Sequence, residues 1–354
     1  MISLSRLPRD LHLCATILRS NWSRLSHPMK ISFAVTYRCN LRCRMCHIWK
    51  KGPDRDELSL GEIDRFFELA DDFSWVGLTG GEPFLREDLP EIVAAIRRRS
   101  RRLVCLHINT NGQLTEKIMR LAREIRTVVA PARLIVTVSV DGPPVVHDAV
   151  RGREGAWERA VATFTGLKGI AGVRSQLGYT ISPGNLGSFG AMMSAVREHC
   201  PQVCFDDVNI NVFQKSDFFY GNDDLPAMAP EELAREIADI QSRDQGGGSV
   251  NNFLRRKYLH FYQMFLATGR PPLRCQALSA SCFLDPGGDL YPCVMHARRV
   301  RNVRDLDVPL KNYWQRQEVR RLSEECSRHA CPGCWTPCDA FSAIAGSLAK
   351  ALVV

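Results

Sequence analysis

Ile31-Ser32-Phe33-Ala34-Val35-Thr36-Tyr37-Arg38-Cys39-Asn40-Leu41-Arg42-Cys43-Arg44-Met45-Cys46 carries an apolar stretch straight into three thiols spaced i, i+4 and i+7. The apolar part reads as a strand over Ser32 to Val35, and the thiols as the loop that follows it. A cubane iron–sulfur cluster takes four cysteine thiolates, so a loop offering three leaves one iron free to bind something other than protein. Structural zinc is the rival reading, but it wants four ligands in two paired arms, and His47 next to the third thiol does not complete such a set. A disulfide is not expected in a chain with no secretory signal pattern and a reducing compartment as its default.

Working outward, short apolar runs alternate with helical periodicities from about residue 30 to 230, the signal for repeated βα units and a parallel sheet. Further strands are expected at Trp75–Thr79, Val104–Asn109, Leu134–Val140, Gln176–Ile181 and Val208–Val212. Helical patterns fall between them at Leu60–Leu69, Leu89–Arg98, Thr115–Arg126, Trp157–Gly166 and Gly190–His199. The fold class is therefore α/β, and six such units suit a partial (β/α)6 barrel of the TIM type. Working residues in such barrels gather at the carboxyl ends of the strands. Gly80-Gly81-Glu82-Pro83, Asn109-Thr110-Asn111-Gly112 and Ser139-Val140-Asp141-Gly142 lie at those ends. In the first, glycines allow close backbone approach, proline fixes the exit, and one carboxylate is available for an ammonium group.

The C-x3-C-x2-C spacing, with Met45 ahead of the third cysteine and the Gly-Gly-Glu-Pro turn downstream, resembles the signature of the radical S-adenosylmethionine (SAM) enzymes. The resemblance implies that Cys39, Cys43 and Cys46 hold a [4Fe-4S] cluster whose open iron chelates SAM. It also implies that a 5'-deoxyadenosyl radical removes hydrogen from an unactivated carbon, with a flavodoxin- or ferredoxin-type protein as electron donor. By the same resemblance Gly80, Gly81, Glu82 and Pro83 meet the SAM amino group, Thr110 and Asn111 its ribose or methionine, and Ser139 its carboxylate. Asp141, His147, Asp148 and Arg151 match a pattern common in members with extra clusters. Arg151 is the best candidate among them for holding a carboxylate, since a guanidinium can pair with one bidentately; the His-Asp pair reads more readily as a structural couple.

Fourteen cysteines are unevenly placed: three in the opening loop, seven between Cys275 and Cys338, and Cys14, Cys105, Cys200 and Cys204 scattered elsewhere as buried or incidental thiols, free cysteine commonly behaving as a small hydrophobe. Cys275-x6-Cys282 is followed by Asp285-Pro286-Gly287-Gly288-Asp289, a tight turn between two short strands that brings Cys293 back toward Cys275. Cys326-x4-Cys331-x2-Cys334-x3-Cys338 comes later, its Cys331-Pro-Gly-Cys334 knuckle able to present two thiolates. The arrangement resembles the SPASM and twitch extensions of radical SAM enzymes, which carry auxiliary [4Fe-4S] clusters. It departs from the full SPASM pattern, lacking the x5 interval and any cysteine after Cys338, so one auxiliary cluster is expected instead of two. Cys275, Cys293, Cys331 and Cys334 lead as its ligands, Cys338 and Cys282 stand as substitutes, and four-thiolate zinc remains the rival.

The organisation expected is an amphipathic segment over 1–30, the partial barrel over 31–230, a linker and helix over 231–272, a small cysteine-rich SPASM/twitch-like domain over 273–340, and an apolar tail over 341–354. Phe253 to Phe265 reads as a helix with Tyr258, Phe261, Tyr262 and Phe265 on its apolar side, and Gln245 to Ser249 as a loop tip. With 354 residues, 45% hydrophobic, the composition is that of a globular chain and argues against disorder. The net charge of +9 includes the run Arg97 to Arg102, which reads as a solvated helix end. A nucleic-acid-binding zinc or iron–sulfur module is the reading from another class; it leaves the Gly-Gly-Glu-Pro turn without a role. The substrate is expected to be a small molecule, with a lipid or a peptide as alternatives, and the location cytoplasmic. A peripheral membrane contact would run through the cationic amphipathic N-terminus, for which packing on the barrel is the competing use.

Overall fold

The computed structural model describes residues 7–52, 56–70, 72–244, 247–331 and 333–347. Leu4 and Arg6 of the amphipathic segment, Gln245 and Gly246 of the loop tip, and Leu348 and Leu352 of the apolar tail lie outside the described residues. A first helix, α1 (Leu7–Trp22), precedes six parallel strands: β1 (Lys30–Thr36), β2 (Trp75–Gly80), β3 (Cys105–Thr110), β4 (Arg133–Ser139), β5 (Val173–Ile181) and β6 (Val208–Val212). Between and after them come α2 (Leu60–Ala70), α3 (Leu89–Arg99), α4 (Thr115–Val129), α5 (Pro144–Arg151), α6 (Ala156–Lys168), α7 (Phe189–His199), α8 (Pro230–Ser242) and α9 (Val250–Thr268). The chain then forms a hairpin, β7 (Ser281–Leu284) and β8 (Asp289–Tyr291), with β9 (Arg301–Asn302) on its outer edge. It closes with α10 (Leu310–Trp314), α11 (Gln317–Ser327) and α12 (Pro337–Gly346).

All nine strands share one sheet, ordered β6-β5-β4-β3-β2-β1-β7-β8-β9. β7 runs parallel to β1, with Lys30 opposite Ser281 and Phe33 opposite Leu284. The sheet therefore continues from the barrel into the cysteine-rich segment instead of stopping at residue 230.

Side chains alternate across each strand, and the two faces of this sheet differ sharply. Leu106 and Ile108, Leu134, Val136 and Val138, Leu177 and Ile181, and Val208 and Ile210 are buried in the main apolar core with the helices. Fully burying each of these large side chains contributes about 1.5–3 kcal/mol. The alternate positions, His107, Asn109, Thr137, Ser139, Gln176, Thr180, Asn209 and Asn211, face an internal cavity. Helix α4 shows how its partners are selected: Ile118, Leu121, Ala122, Ile125 and Val129 form one buried stripe at helical spacing.

Candidate active site

The three-thiol loop leaves the carboxyl end of β1 and is gripped from two sides. On one side the turn after β2 presses against it, the Gly81 and Glu82 N–H groups donating to the Thr36 and Arg38 carbonyls, each at 2.8 Å. A Cβ on Gly80 would lie 2.1 Å from the Thr36 oxygen, and one on Gly81 2.1 Å from the Arg38 oxygen. Gly80 also has φ +128°. Neither site accepts a side chain without moving backbone. On the other side the Arg44 N–H donates to the Val150 carbonyl of α5 at 2.9 Å. Gly152 closes α5 at φ +67°, its absent Cβ leaving room for the Arg42 carbonyl.

Glu82 is fully buried. Its carboxylate accepts the Phe84 N–H at 3.1 Å, the Thr110 hydroxyl at 2.9 Å and the Asn111 N–H at 2.7 Å. Burial lifts its carboxyl to about 7, against the pull of those donors and the charge of Arg151. Gly80, Gly81, Thr110, Asn111, Ser139 and Arg151 line the cavity, whereas Glu82 and Pro83 do not. The side chain expected to receive an ammonium is thus turned inward, tying the end of β2 to the end of β3.

Two donors reach toward the sulfurs. The Asn111 amide donates to Asn40 Oδ1 at 2.7 Å and toward Cys39 Sγ at 3.8 Å. Arg151 Nη1 lies 3.8 Å from Cys43 Sγ, while its Nε donates to Asp141 Oδ2 at 2.6 Å. Asp141, also fully buried, accepts the Thr180 N–H at 3.0 Å. Burial opposes the Arg151 charge, but Asp141 and the Cys43 sulfur hold the guanidinium protonated. His147 accepts the Asp141 N–H at Nδ1, and burial together with Arg151 lowers it to about 3, so it stays neutral. Asp148 accepts the Gly155 and Trp157 N–H groups at 2.6 and 2.8 Å and anchors the start of α6. His147 and Asp148 are therefore structural, while Arg151 joins the thiol loop to the barrel.

As thiols these cysteines resist ionisation: burial raises Cys39 to about 11, Cys46 to about 12, and Cys43 in the same direction. Only a bound cationic group would make three neighbouring thiolates stable there. Among the described residues no three His, Cys, Asp or Glu side chains close around a single metal ion. Three thiols around one loop, with Asn111 and Arg151 donating toward two sulfurs, fit an iron–sulfur cluster.

The second thiol group gathers where β8, α11 and the start of α12 meet. Cys334 lies within reach of the charges of Cys331 and Cys338, and itself affects Cys275, Cys293 and Cys326. Cys282 stands apart on β7 opposite Ile31, with only the Asp339 charge acting on it. Between the two thiol groups lies Tyr220, whose phenol feels Cys338, Cys46, Cys334 and Cys293, and which burial pushes far above its ordinary value. A cavity of about 360 Å3 connects the two regions, lined by Cys39, Cys43 and Cys46 at one part and by Tyr220, Cys338 and Phe341 at another. Its lining holds no Asp or Glu among the described residues.

The description "Radical SAM superfamily" matches residues 33–185, the stretch that contains the thiol loop and the three strand-end motifs. These residues, less than half of the chain, carry the superfamily's domain. That superfamily uses a [4Fe-4S] cluster together with SAM. Fe-coproporphyrin III synthase of Methanosarcina barkeri is 33% identical over 48% of this chain and 42% of that protein. The antilisterial bacteriocin subtilosin biosynthesis protein AlbA of Bacillus subtilis is 23% identical over 90% of this chain and 68% of its own length. The chain thus spans less than half of the first of these relatives. Streptococcus suis SuiB, solved with SAM bound, matches 92% of this chain and 77% of its own at a TM-score of 0.60 and 14% identity. SuiB has also been solved with its precursor peptide SuiA, matching 88% of this chain and 69% of its own at a TM-score of 0.57 and 14% identity. The likeness to SuiB concerns the fold: a partial α/β barrel with a parallel sheet.

Proposed function

We propose that this radical SAM chain abstracts hydrogen from an unactivated carbon of a peptide, with Cys39, Cys43 and Cys46 holding the SAM-binding cluster. Cys275, Cys293, Cys334 and one of Cys331 or Cys338 hold one auxiliary cluster. A cluster held by Cys39, Cys43 and Cys46 would supply the electron for reductive cleavage of SAM to methionine and 5'-deoxyadenosine, and one held by the second thiol group would take up the electron given up as the substrate, having lost a hydrogen atom, also releases a proton. A flavodoxin- or ferredoxin-type protein supplies the incoming electron. The chain's own residues do the positioning: Gly80 and Gly81 leave backbone open to the ligand, Glu82 fixes Thr110 and Asn111, and Arg151 holds the Cys43 side of the loop.

The observation that carries the substrate class is the cavity wall. Asn109, Asn111, Gln176, Asn209, Asn211 and Gln214 present amides, with Thr137, Ser139 and Thr180 beside them and no carboxylate. Primary amides both donate and accept, and so pair with peptide groups, while Lys30 and Arg151 in the same lining leave it with cations and no carboxylate. AlbA, whose name assigns it to bacteriocin biosynthesis, spans 90% of this chain. SuiB is solved with a precursor peptide bound.

The test is iron and sulfide content of anaerobically reconstituted protein, with dithionite-driven formation of 5'-deoxyadenosine, in wild type and in Cys39→Ala/Cys43→Ala/Cys46→Ala. The expected result is about eight irons in wild type and about four in the triple variant, with 5'-deoxyadenosine from wild type only. Short synthetic precursor peptides are then screened by mass spectrometry for loss of two hydrogens. Iron near four with zinc present overturns the auxiliary cluster, and turnover of a small metabolite but no peptide overturns the substrate class.

A further inference from the structure

Helix α1 carries apolar side chains on two faces, for Leu13 and Ile17 pack against Leu25, Met29 and Ala280. Its buried residues are Thr16 and Ser20. Leu7, Leu11, Leu18 and Trp22 are exposed, Trp22 to 85%, and Cys14 between them is exposed too. At about 100° per residue these five positions fall within an arc of about 80°, a single apolar stripe along the helix.

The helix is pinned where it lies. Arg133 at the start of β4 donates to both Asp10 oxygens, at 2.8 and 2.6 Å, and Arg102 meets His12 at 3.2 Å. These partners sit at the amino ends of strands, so α1 crosses the end of the barrel opposite the thiol loop. The same end is rich in cations, because helices finish there: Arg98, Arg101, Arg102, Arg133 and Arg174 are exposed around it, and Arg19 on the helix itself. Asp64, Asp72 and Asp10 pair with Arg98, Arg102 and Arg133; among the described residues no ion pair involves Arg101, Arg174 or Arg19.

We propose that this face docks on an anionic membrane surface, with the α1 stripe entering the boundary between headgroups and acyl chains and the arginines meeting lipid phosphates. Charge complementarity selects that occupant. A second copy of the chain would bring the same arginines against this rim, whereas an anionic bilayer brings phosphates and accepts a one-side-chain-wide apolar stripe. Among the described residues no helix is long and apolar enough to cross a membrane, so the contact is peripheral. The thiol loop, at the carboxyl end of β1, stays on the far side from the bilayer.

The test is sedimentation of the full chain with vesicles of phosphatidylcholine, alone or mixed with phosphatidylglycerol, at low and high salt. Binding to the mixed vesicles, weakened about tenfold by high salt and by omitting the anionic lipid, is expected. Leu11→Ser/Leu18→Ser/Trp22→Ser should weaken it about tenfold or more, with circular dichroism and 5'-deoxyadenosine formation unchanged. Arg101→Glu/Arg174→Glu supplies an independent variant, expected to weaken binding to mixed vesicles while leaving the stripe intact. No sedimentation with mixed vesicles, or sedimentation indifferent to both variants, overturns the proposal. So does a dimer in analytical ultracentrifugation that the stripe variant dissolves.

Discussion

Replacing Gly81 by alanine tests whether the turn after β2 and the thiol loop are one packed unit. The new Cβ would stand 2.1 Å from the Arg38 oxygen, 2.6 Å from its carbonyl carbon and 2.7 Å from the Tyr37 oxygen, all backbone, so no side chain can swing aside. The turn must withdraw, and it gives up the bonds from Gly81 N–H to Thr36 and from Glu82 N–H to Arg38. Two backbone hydrogen bonds at about 1 kcal/mol each and about 1–3 kcal/mol of overpacking strain place the loss at about 3–5 kcal/mol. The apo protein should melt roughly 5–10 °C lower, and the displaced loop should hold substoichiometric iron after reconstitution. Gly61→Ala is the control. It lies in α2 with nothing within 4 Å of its Cβ position, so the same chemical change should raise stability by about 0.5–1 kcal/mol. A Gly81→Ala protein that melts with wild type and loads the full iron complement would refute the reasoning.

Asp141→Ala should cost about 3–5 kcal/mol in urea unfolding, because it strands the buried Arg151 guanidinium and the Thr180 N–H; a loss under about 1 kcal/mol would mean water reaches the pair. Glu82 gives the apo protein a pH signature. Burial raises its carboxyl from 4.5 to about 7, so the stabilising contribution is complete below about 4.5 and fades as pH rises through about 7. At about 1.4 kcal/mol per pH unit the difference is about 3 kcal/mol. Wild type should therefore lose about that much more stability than Glu82→Gln between pH 5 and 8, and parallel pH profiles would speak against a charge buried there. Of the second thiol group, Cys293→Ala should remove the auxiliary irons from the reconstituted protein, whereas Cys282→Ala, on a strand apart from the others, should keep them. Equal iron loss from both would put Cys282 among the ligands.

The six barrel strands were legible because each is a short apolar run between helical periodicities, and β6 falls on Val208–Val212 as read. Ends moved where the backbone ladder outran the apolar run, as at β5, which begins at Val173 on the polar residues Arg174 and Ser175. Helix α5 went unread because eight residues opening with proline offer too few turns for a periodicity. In α8 the i, i+4, i+7 spacing of Leu233, Ile237 and Ile240 is present, but apolar positions so few among charged residues do not mark a helix by periodicity alone. The polar inner wall was also visible, in His107-x-Asn109, Thr137-x-Ser139 and Asn209-x-Asn211, as alternation inside strands that otherwise read as simply apolar. What no local pattern could supply is pairing across distance: Arg151 on Cys43, Glu82 on Asn111, Tyr220 between the two thiol groups. Those depend on strand order, and they show Glu82 bracing the end of β2 against the end of β3.

The parallel pairing of β7 with β1 bears on how the chain is born. Lys30–Phe33 and Ser281–Leu284 are about 250 residues apart in sequence yet adjacent in the sheet. A ribosome releasing the chain from its amino end exposes one edge of β1 as soon as β2 has paired with the other. That edge stays open until Leu284 has emerged, well after the six-stranded unit could have collapsed. A strand waiting so long is a template for foreign strands. Expression of residues 1–230 alone should therefore aggregate through β1. In the living cell, slow elongation between residues 230 and 284 would be a hazard for yield before any cluster is inserted.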